Sequence, residues 1–203
     1  MTWDAIPSDE AVKKAAEAVK DRAIRVITVD KRTDALHKLE EIIPGGAEVM
    51  TASSTTLQEI GFIDLLKSGK HPWRNLKEEL LSETDPLKQL ELRQKSVTAQ
   101  YFLGSVHAVA QTGEIVVASA SGSQVPAYAY SSPNVIWVIG VQKIVPTLKE
   151  AITRVREYVL PLEDARMKRE GFPGSMIGKL LILEREMMPG RITAVFVREK
   201  LGF

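Results

Sequence analysis

With 203 residues, 44% of them hydrophobic, the chain is long enough to bury one core and too apolar to be disordered. Its 27 lysines and arginines nearly balance 26 acidic residues, which argues against a protein that binds nucleic acid through a basic surface. Cysteine is absent, which excludes disulfides, thiolate metal sites and cysteine-ligated iron–sulfur clusters on this chain.

The sequence gives no sign of targeting or of membrane insertion. Residues 1–20 lack the apolar stretch of a signal peptide. The longest apolar run, residues 135–141, is much shorter than the roughly 20 residues that span a bilayer. We therefore expect a cytoplasmic protein without a membrane segment.

The first part of the chain alternates predicted helices and strands. Ser8 can cap a helix that leads into a β-branched strand at residues 24–29, so that residues 1–30 form a first helix and strand. A second helix stops at Pro44, and a short strand at residues 47–50 leads into a third helix. This alternation predicts βαβ crossovers and therefore a mainly parallel sheet with helices on both faces.

The middle of the chain departs from this alternation. Residues 71–100 are charged and leucine-rich and predict a helical insertion, with a new helix beginning near Pro86. Two strand-like runs, residues 105–111 and 114–119, flank Thr112-Gly113 and predict a tight hairpin. No linker composition separates these segments, so we expect the whole chain of 203 residues to form one domain.

The last third again contains strand and helix signals. Residues 135–139 are entirely apolar, as expected of a strand at the centre of a sheet. A capping box at Thr147 predicts the start of a helix. Strand-like runs at residues 180–184 and 192–197 flank Pro189-Gly190, which predicts a C-terminal antiparallel hairpin added to the sheet.

Small and hydroxyl-bearing residues follow several predicted strands, where they can present donors to an anion. Hydroxyls and free backbone N–H groups at a helix start bind anions, although the same hydroxyls can simply cap the helix. Small-residue segments permit close approach to a ligand, and an ordinary loop is the alternative. The candidate anion-binding residues are Ser53, Ser54, Thr55, Thr56, Gly104, Ser105, Thr112, Gly113, Ser121, Gly122 and Ser123.

Two ionisable side chains are candidates for acid–base chemistry. Glu114 directly follows the turn glycine Gly113, and a carboxylate held there in a pocket can act as a base or a nucleophile. An exposed glutamate at the end of a strand is the simpler alternative. His107 alternates with apolar residues in a predicted strand, where a hydrogen-bonded structural histidine is the alternative to a catalyst.

The familiar nucleotide and metal motifs are missing. The sequence has no GxGxxG fingerprint, no GxxxxGK[ST] loop and no GxSxG elbow. Its three histidines do not show metal-ligand spacing. We therefore expect no metal and no bound cofactor, and neither nucleic acid nor a membrane as a partner.

The segment of residues 96–117, SVTAQYFLG followed by SVHAVAQTGEIVV, resembles the central block of a known family. That family is the LUD-domain family, the lactate-utilisation proteins of the LutC/YkgG type. The flanking segments at residues 35–49, 53–61 and 189–202 are similar to the corresponding family elements. The resemblance extends from Thr33 to the C-terminus and rests on the order of these segments.

The resemblance implies a fold of the NagB/RpiA/CoA-transferase-like type, a Rossmann-like three-layer α/β sandwich that binds ligands at strand ends. It also implies a part in oxidising L-lactate to pyruvate within a multi-protein system whose iron–sulfur centres lie in partner chains. A chain without cysteine can only be the cluster-free component of such a system. The sequence departs from many family members at Glu114, where they carry serine or threonine.

The sequence leaves three functions open. The first is binding of a small anionic metabolite in lactate or organic-acid utilisation. The second is an enzyme of the isomerase or CoA-transferase class that acts on a phosphosugar or acyl-CoA, which requires Glu114 to face a pocket beside residues 53–56. The third is a structural docking subunit, which predicts an exposed apolar patch and no pocket. The terminal helix and hairpin are also of a kind that forms homodimers.

Overall fold

A computed structural model describes residues 2–203, which contain ten strands and eight α-helices. The strands are β1 (Arg25–Val29), β2 (Glu48–Thr51), β3 (Arg74–Asn75), β4 (Tyr101–Gly104), β5 (Ala108–Ala110), β6 (Ile115–Ser119), β7 (Asn134–Gly140), β8 (Ile144–Val145), β9 (Lys179–Leu183) and β10 (Ile192–Val197). The helices are α1 (Asp9–Asp21), α2 (Arg32–Ile42), α3 (Thr55–Glu59), α4 (Phe62–Ser68), α5 (Leu76–Ser82), α6 (Pro86–Lys95), α7 (Leu148–Arg154) and α8 (Leu160–Arg169). Within residues 2–203, none of these helices is both long enough and apolar enough to cross a membrane.

Six parallel strands form the main sheet in the order β1-β10-β7-β4-β2-β3, which confirms the predicted parallel α/β architecture. The apolar strand β7 lies between β10 and β4, as its composition predicted. Because side chains alternate along a strand, the two faces of β7 contribute to different hydrophobic cores. Ile136 and Val138 pack with helices α2, α3 and α4, whereas Trp137 and Ile139 face the opposite side.

A smaller sheet lies against that opposite side, in the order β8-β5-β6-β9. Strands β5 and β6 are antiparallel, which confirms the hairpin predicted at Thr112-Gly113. Gly113 has a φ of 102°, a conformation that L side chains rarely adopt and that this turn requires. Helix α1 and the facing side chains of the two sheets form the larger core, and α7 covers the outer face of the small sheet.

The predicted C-terminal antiparallel hairpin is wrong. Strand β9 pairs with β6 in the small sheet, whereas β10 lies between β1 and β7 in the main sheet and is parallel to both. Every residue of β10 is buried, as expected of a strand near the centre of a parallel sheet. The segment at Pro189-Gly190 therefore connects two sheets. Two apolar runs that flank Pro189-Gly190 have the same sequence pattern whether they pair with each other or join different sheets. Strand β10 joins the main sheet, where both of its faces are buried.

Helices α5 and α6 lie between β3 and β4 and contribute to one wall of the cavity described below. Pro86 occupies the first turn of α6, where its missing N–H costs nothing. The carboxylate of Asp85 caps this helix by accepting from the N–H of Leu87 at 2.9 Å. At the edge of the main sheet, the guanidinium of Arg74 bridges Glu48 and Glu79, which ties β3 to β2 and α5.

A buried ion pair fixes the turn that follows β6. The guanidinium of Arg191 lies 2.6 Å from the carboxylate of Glu186, and both side chains are buried. Arg191 also donates to the carbonyl oxygens of Tyr128 at 2.7 Å and of Ser132 at 3.1 Å. A buried guanidinium needs such partners for its charge and its N–H groups. The pair thereby holds the π-helical turn Ala127–Ser131, which places Tyr128 over the end of β4.

Candidate functional site

A cavity of about 1280 Å³ lies beyond the carboxyl ends of three neighbouring strands of the main sheet. Thr51 at the end of β2, Ser105 after β4 and Lys143 after β7 all line it. Parts of α5, α8 and the loop after β6 complete its walls. Ligands of open α/β sheets bind at this edge, because the loops that follow parallel strands converge there. The cavity therefore lies where the fold itself favours a ligand.

The amine of Lys143 is the most unusual group of the cavity wall. Its Nζ donates to Oγ1 of Thr56 and to Oγ of Ser105, both at 3.0 Å. The residue is only 3% exposed. Among residues 2–203, no carboxylate oxygen lies within the 4.0 Å of Nζ that defines an ion pair. A buried ammonium without a carboxylate partner is costly and is therefore a candidate for function.

The two hydroxyls that accept from Lys143 use their own protons elsewhere. Ser105 donates to the carbonyl oxygen of Val138 at 2.7 Å, and Thr56 donates to that of Leu201 at 3.4 Å. Their oxygens consequently face the amine as acceptors. Two of the three N–H groups of the ammonium thus donate to protein hydroxyls, and the third has no protein partner among residues 2–203.

The electrostatic environment of Lys143 is positive. Burial, and to a smaller extent the charge of Arg154, lower the pKa of the Lys143 amine to about 7, although the charge of Glu59 acts in the opposite direction. Arg154 is itself fully buried, and its guanidinium donates to the backbone carbonyls of Trp3 and His107 rather than to a carboxylate. Two buried cations therefore act on this end of the cavity, and among residues 2–203 no carboxylate is bound to either, which favours an anionic ligand.

His107 lines the same cavity as a neutral imidazole. Its Nδ1 accepts from the backbone N–H of Ala118 at 3.0 Å, which assigns the ring proton to Nε2. Burial, together with the charges of Lys143 and Arg154, lowers the pKa of His107 to about 3. The ring can therefore serve as a hydrogen-bond donor at neutral pH, and it is not a proton-exchanging base there.

The hydroxyl run at the start of α3 divides into capping and cavity roles. Ser54 caps the helix by accepting from the N–H of Leu57 at 3.2 Å, as its position predicted. Thr56 is buried against Lys143 and Leu201. Ser53 and Thr55 line the cavity. The structure thus brings all four hydroxyls to one wall, although one of them is used by the helix itself.

The other predicted anion-binding residues separate into two groups. Ser121 and Ser123 line the cavity, and their hydroxyls are 3.2 Å apart. Gly122 between them packs on the side chain of Lys179 and does not line it. Gly104 is buried beneath Tyr128, so closely that a Cβ there would lie 1.8 Å from the Tyr128 hydroxyl. At the end of β4, Ser105 rather than Gly104 therefore lines the cavity.

The turn at Thr112, Gly113 and Glu114 lies away from this cavity. The carboxylate of Glu114 pairs with the guanidinium of Arg22 at 2.7 Å and accepts from the hydroxyl of Thr112. Arg22 also donates to the carbonyl of Thr112 and to the carboxylate of Glu184. None of Thr112, Gly113 and Glu114 lines the cavity. These contacts join α1 to the hairpin and to β9, and they leave Glu114 without the pocket that a catalytic role requires.

Two cavity residues were missed in the sequence. Lys143 is one, although the polar pair Gln142-Lys143 directly follows the apolar run of β7 and so marks the carboxyl end of a central strand. Tyr128 is the other; the residue is part of the cavity wall, and its hydroxyl is buried against Gly104 without a hydrogen-bond partner among residues 2–203. No local pattern marks Tyr128, because its position depends on the buried Arg191.

Comparisons with known proteins agree with this architecture. The family model described as the LUD domain matches residues 12–172 and confirms the resemblance seen in the sequence. The crystal structure of a DUF162 family protein from Deinococcus radiodurans has a TM-score of 0.56 at 14% identity, over 94% of this chain and 99% of that one, which supports the Rossmann-like α/β fold alone. That of eIF2B beta from Chaetomium thermophilum has a TM-score of 0.38 at 19% identity, over 58% and 44%, and supports no inference. The sequence matches no curated protein.

Proposed function

Because the chain belongs to the LUD-domain family, we propose that it binds a small organic anion at Lys143 and acts in the utilisation of lactate or a related organic acid. The observation that carries this proposal is the buried amine of Lys143, which faces a cavity and has no carboxylate partner among residues 2–203. An anion bound there would supply the missing countercharge, so that ligand binding and the burial of the amine stabilise each other.

The cavity offers further donors to a carboxylate or a carbonyl oxygen. Among residues 2–203 the Nε2–H of His107 has no hydrogen-bond partner, and His107 lines the cavity together with the hydroxyl-bearing Ser53, Ser121 and Ser123. The volume of about 1280 Å³ exceeds the roughly 300–1,000 Å³ of ordinary small-molecule sites. The site therefore accommodates a lactate-sized acid with space for a larger attached group.

In this proposal the chain is the cluster-free component of a lactate-oxidising system in the cytoplasm. Oxidation of lactate to pyruvate releases two electrons and two protons. Partner chains with iron–sulfur centres would accept the electrons, since this chain has no cysteine to hold a cluster. This chain would contribute the site that holds the organic acid, with Lys143 neutralising its carboxylate.

The two alternatives receive less support. A phosphosugar or acyl-CoA enzyme that uses Glu114 needs that carboxylate in the cavity, but Glu114 is bound to Arg22 outside it. A purely structural subunit predicts no formed pocket, whereas the cavity is present and holds a buried cation. Both observations favour a binding protein for an organic anion.

Calorimetric titration of wild-type protein with L-lactate, pyruvate, a phosphosugar and CoA tests the proposal. Lys143→Met removes the charge at similar volume, and Lys149→Met serves as the matched control because Lys149 is exposed and lies outside the cavity. We expect saturable binding of at least one acid, a loss of tenfold or more in Lys143→Met, and unchanged affinity in Lys149→Met. Equal affinities in all three proteins, or no binding to the wild type, would overturn the proposal.

A further inference from the structure

The hydrogen bonds around Nζ of Lys143 define how the neutral amine would be oriented. A neutral amine has two N–H groups and one lone pair. The hydroxyl oxygens of Thr56 and Ser105 take the two N–H groups, because both hydroxyl protons are committed to the carbonyls of Leu201 and Val138. The lone pair then has no partner among residues 2–203, and the Lys143 side chain that carries it lines the cavity.

The surroundings maintain a substantial neutral fraction of this amine. Lys143 is buried, and among residues 2–203 its Nζ has no ion pair to stabilise the ammonium form. Burial lowers the pKa of Lys143 to about 7, so that ammonium and amine coexist near neutral pH. The ammonium can attract an anion, and the amine can attack a carbonyl carbon.

We propose that Lys143 forms an imine with the carbonyl carbon of a 2-oxo acid bound in the cavity. This inference rests on the proposed anion site and adds a covalent step to it. The ammonium of Lys143 would attract the carboxylate of the 2-oxo acid into the cavity, and once Nζ has lost its proton the carboxylate would be held by donors of the cavity wall such as Nε2–H of His107. Its carbonyl carbon would then face Nζ of Lys143.

The step balances without an oxidant or a reductant. The lone pair of Nζ forms a bond to the carbonyl carbon while the C=O π bond breaks, and one proton moves from nitrogen to oxygen to give a carbinolamine. The C–O bond then breaks as the hydroxyl leaves with a second proton as water, and the nitrogen lone pair forms the C=N bond. One water is released, and the imine draws electrons from the neighbouring carbon, as lysine imines do in carbonyl chemistry.

Reductive trapping tests the inference directly. Wild-type protein, Lys143→Met and Lys149→Met are each incubated with pyruvate and cyanoborohydride, which reduces an imine to a stable secondary amine. Intact mass and peptide mapping then locate the adduct. We expect one adduct per wild-type chain on Lys143, the same adduct in Lys149→Met, and none at this stoichiometry in Lys143→Met. L-lactate, which has no ketone, should suppress trapping by occupying the same site.

The outcomes separate this inference from the proposed function. Binding of pyruvate that depends on Lys143 but yields no adduct would overturn the imine and leave the anion site standing. Adducts distributed over exposed lysines, unaffected by L-lactate, would also overturn it. Absence of both binding and adduct would remove both proposals. Because mapping on the wild type locates the adduct, the result does not depend on whether Lys143→Met folds.

Discussion

The Nζ atom of Lys143 lies 3.0 Å from Oγ1 of Thr56, a contact that joins the end of β7 to the first turn of α3 beyond the edge of the main sheet. Both side chains are buried, and Thr56 in turn bonds to the backbone of Leu201. The cation of the candidate site is therefore positioned by two strand-end segments and by the last residues of the chain.

Lys143→Met should stabilise the protein without ligand. The pKa of Lys143 is lowered from 10.5 to about 7 in the folded state, so the unfolded chain binds more protons between these values. The free-energy cost of burying the ammonium is therefore fully present below about pH 7, and it disappears as the pH rises towards 10.5, the pKa of free lysine. We expect a gain of about 1–4 kcal/mol near pH 7 that shrinks towards pH 10. Denaturant unfolding at several pH values measures it, and a gain that does not change with pH would contradict the assignment.

Thr56→Val should weaken anion binding although it leaves the charge in place. It removes the acceptor of one Lys143 N–H and the donor to the carbonyl of Leu201. We expect a loss of about 1–3 kcal/mol in unfolding free energy and a several-fold loss of affinity. Thr56→Ser keeps the hydroxyl and should restore most of both. If Thr56→Ser and Thr56→Val behave alike in calorimetry, the hydroxyl is not what positions the amine.

His107 should remain neutral throughout the physiological pH range. Burial lowers its pKa from 6.5 to about 3, so the folded protein excludes a proton that the unfolded chain binds below pH 6.5. Stability should consequently fall as pH decreases from 6.5 towards 3. The ring nitrogen resonances of His107 in NMR spectra should keep the values of the neutral Nε2–H tautomer between about pH 5 and 8, apart from small shifts as Lys143 titrates nearby. Titration with a midpoint near 6.5 would show that the ring is accessible and would remove it from the site as described.

Gly104→Ala should be destabilising because of Tyr128 in particular. The new Cβ would lie 1.8 Å from the Tyr128 hydroxyl and 3.0 Å from its Cζ. We expect a cost of about 1–3 kcal/mol. Tyr128→Phe removes a buried hydroxyl that has no partner among residues 2–203, and should be neutral or slightly stabilising. The double variant should recover part of the cost; strict additivity in a double-mutant cycle would contradict the contact.

Glu114→Gln should leave ligand affinity unchanged and reduce stability. Glu114 pairs with Arg22, which fastens the hairpin to α1 and β9. Because both side chains are partly exposed, we expect a loss of about 0.5–2 kcal/mol in unfolding free energy. Arg22→Met should have a similar or larger effect because it removes several hydrogen bonds. A large loss of ligand binding in Glu114→Gln with an intact fold would return this carboxylate to the candidate site.

Much of the fold could be predicted because its signals are local. The apolar run of β7, the turn glycine Gly113 and the capping hydroxyls of Ser8 and Thr147 each act within a few residues of the chain. The division of strands between two sheets could not be predicted. It depends on which faces of β9 and β10 are buried, and those faces are set by packing against α1 and the core strands.

Several of the hydroxyls proposed from the sequence line the cavity, whereas its buried amine was not among the candidates. Hydroxyls at residues 53–56 follow a strand and open a helix, and Ser105 follows another strand, so their strand-end position can be inferred from the sequence. The importance of Lys143 depends on burial and on the absence of a carboxylate nearby, which no spacing rule contains. The position of Glu114 outside the cavity could not be inferred for a related reason, because its partner, Arg22, lies in a distant part of the sequence.

The central claim is that the ammonium of Lys143 binds the anion, and the pH dependence of ligand affinity tests it most directly. The affinity of wild-type protein for the best-binding acid should be constant below about pH 7 and then fall, approaching tenfold per pH unit, as Lys143 loses its proton. In Lys143→Met the affinity should be weak and independent of pH. An affinity that stays constant from about pH 6 to 9 in the wild type, or that Lys143→Met retains, would contradict the account.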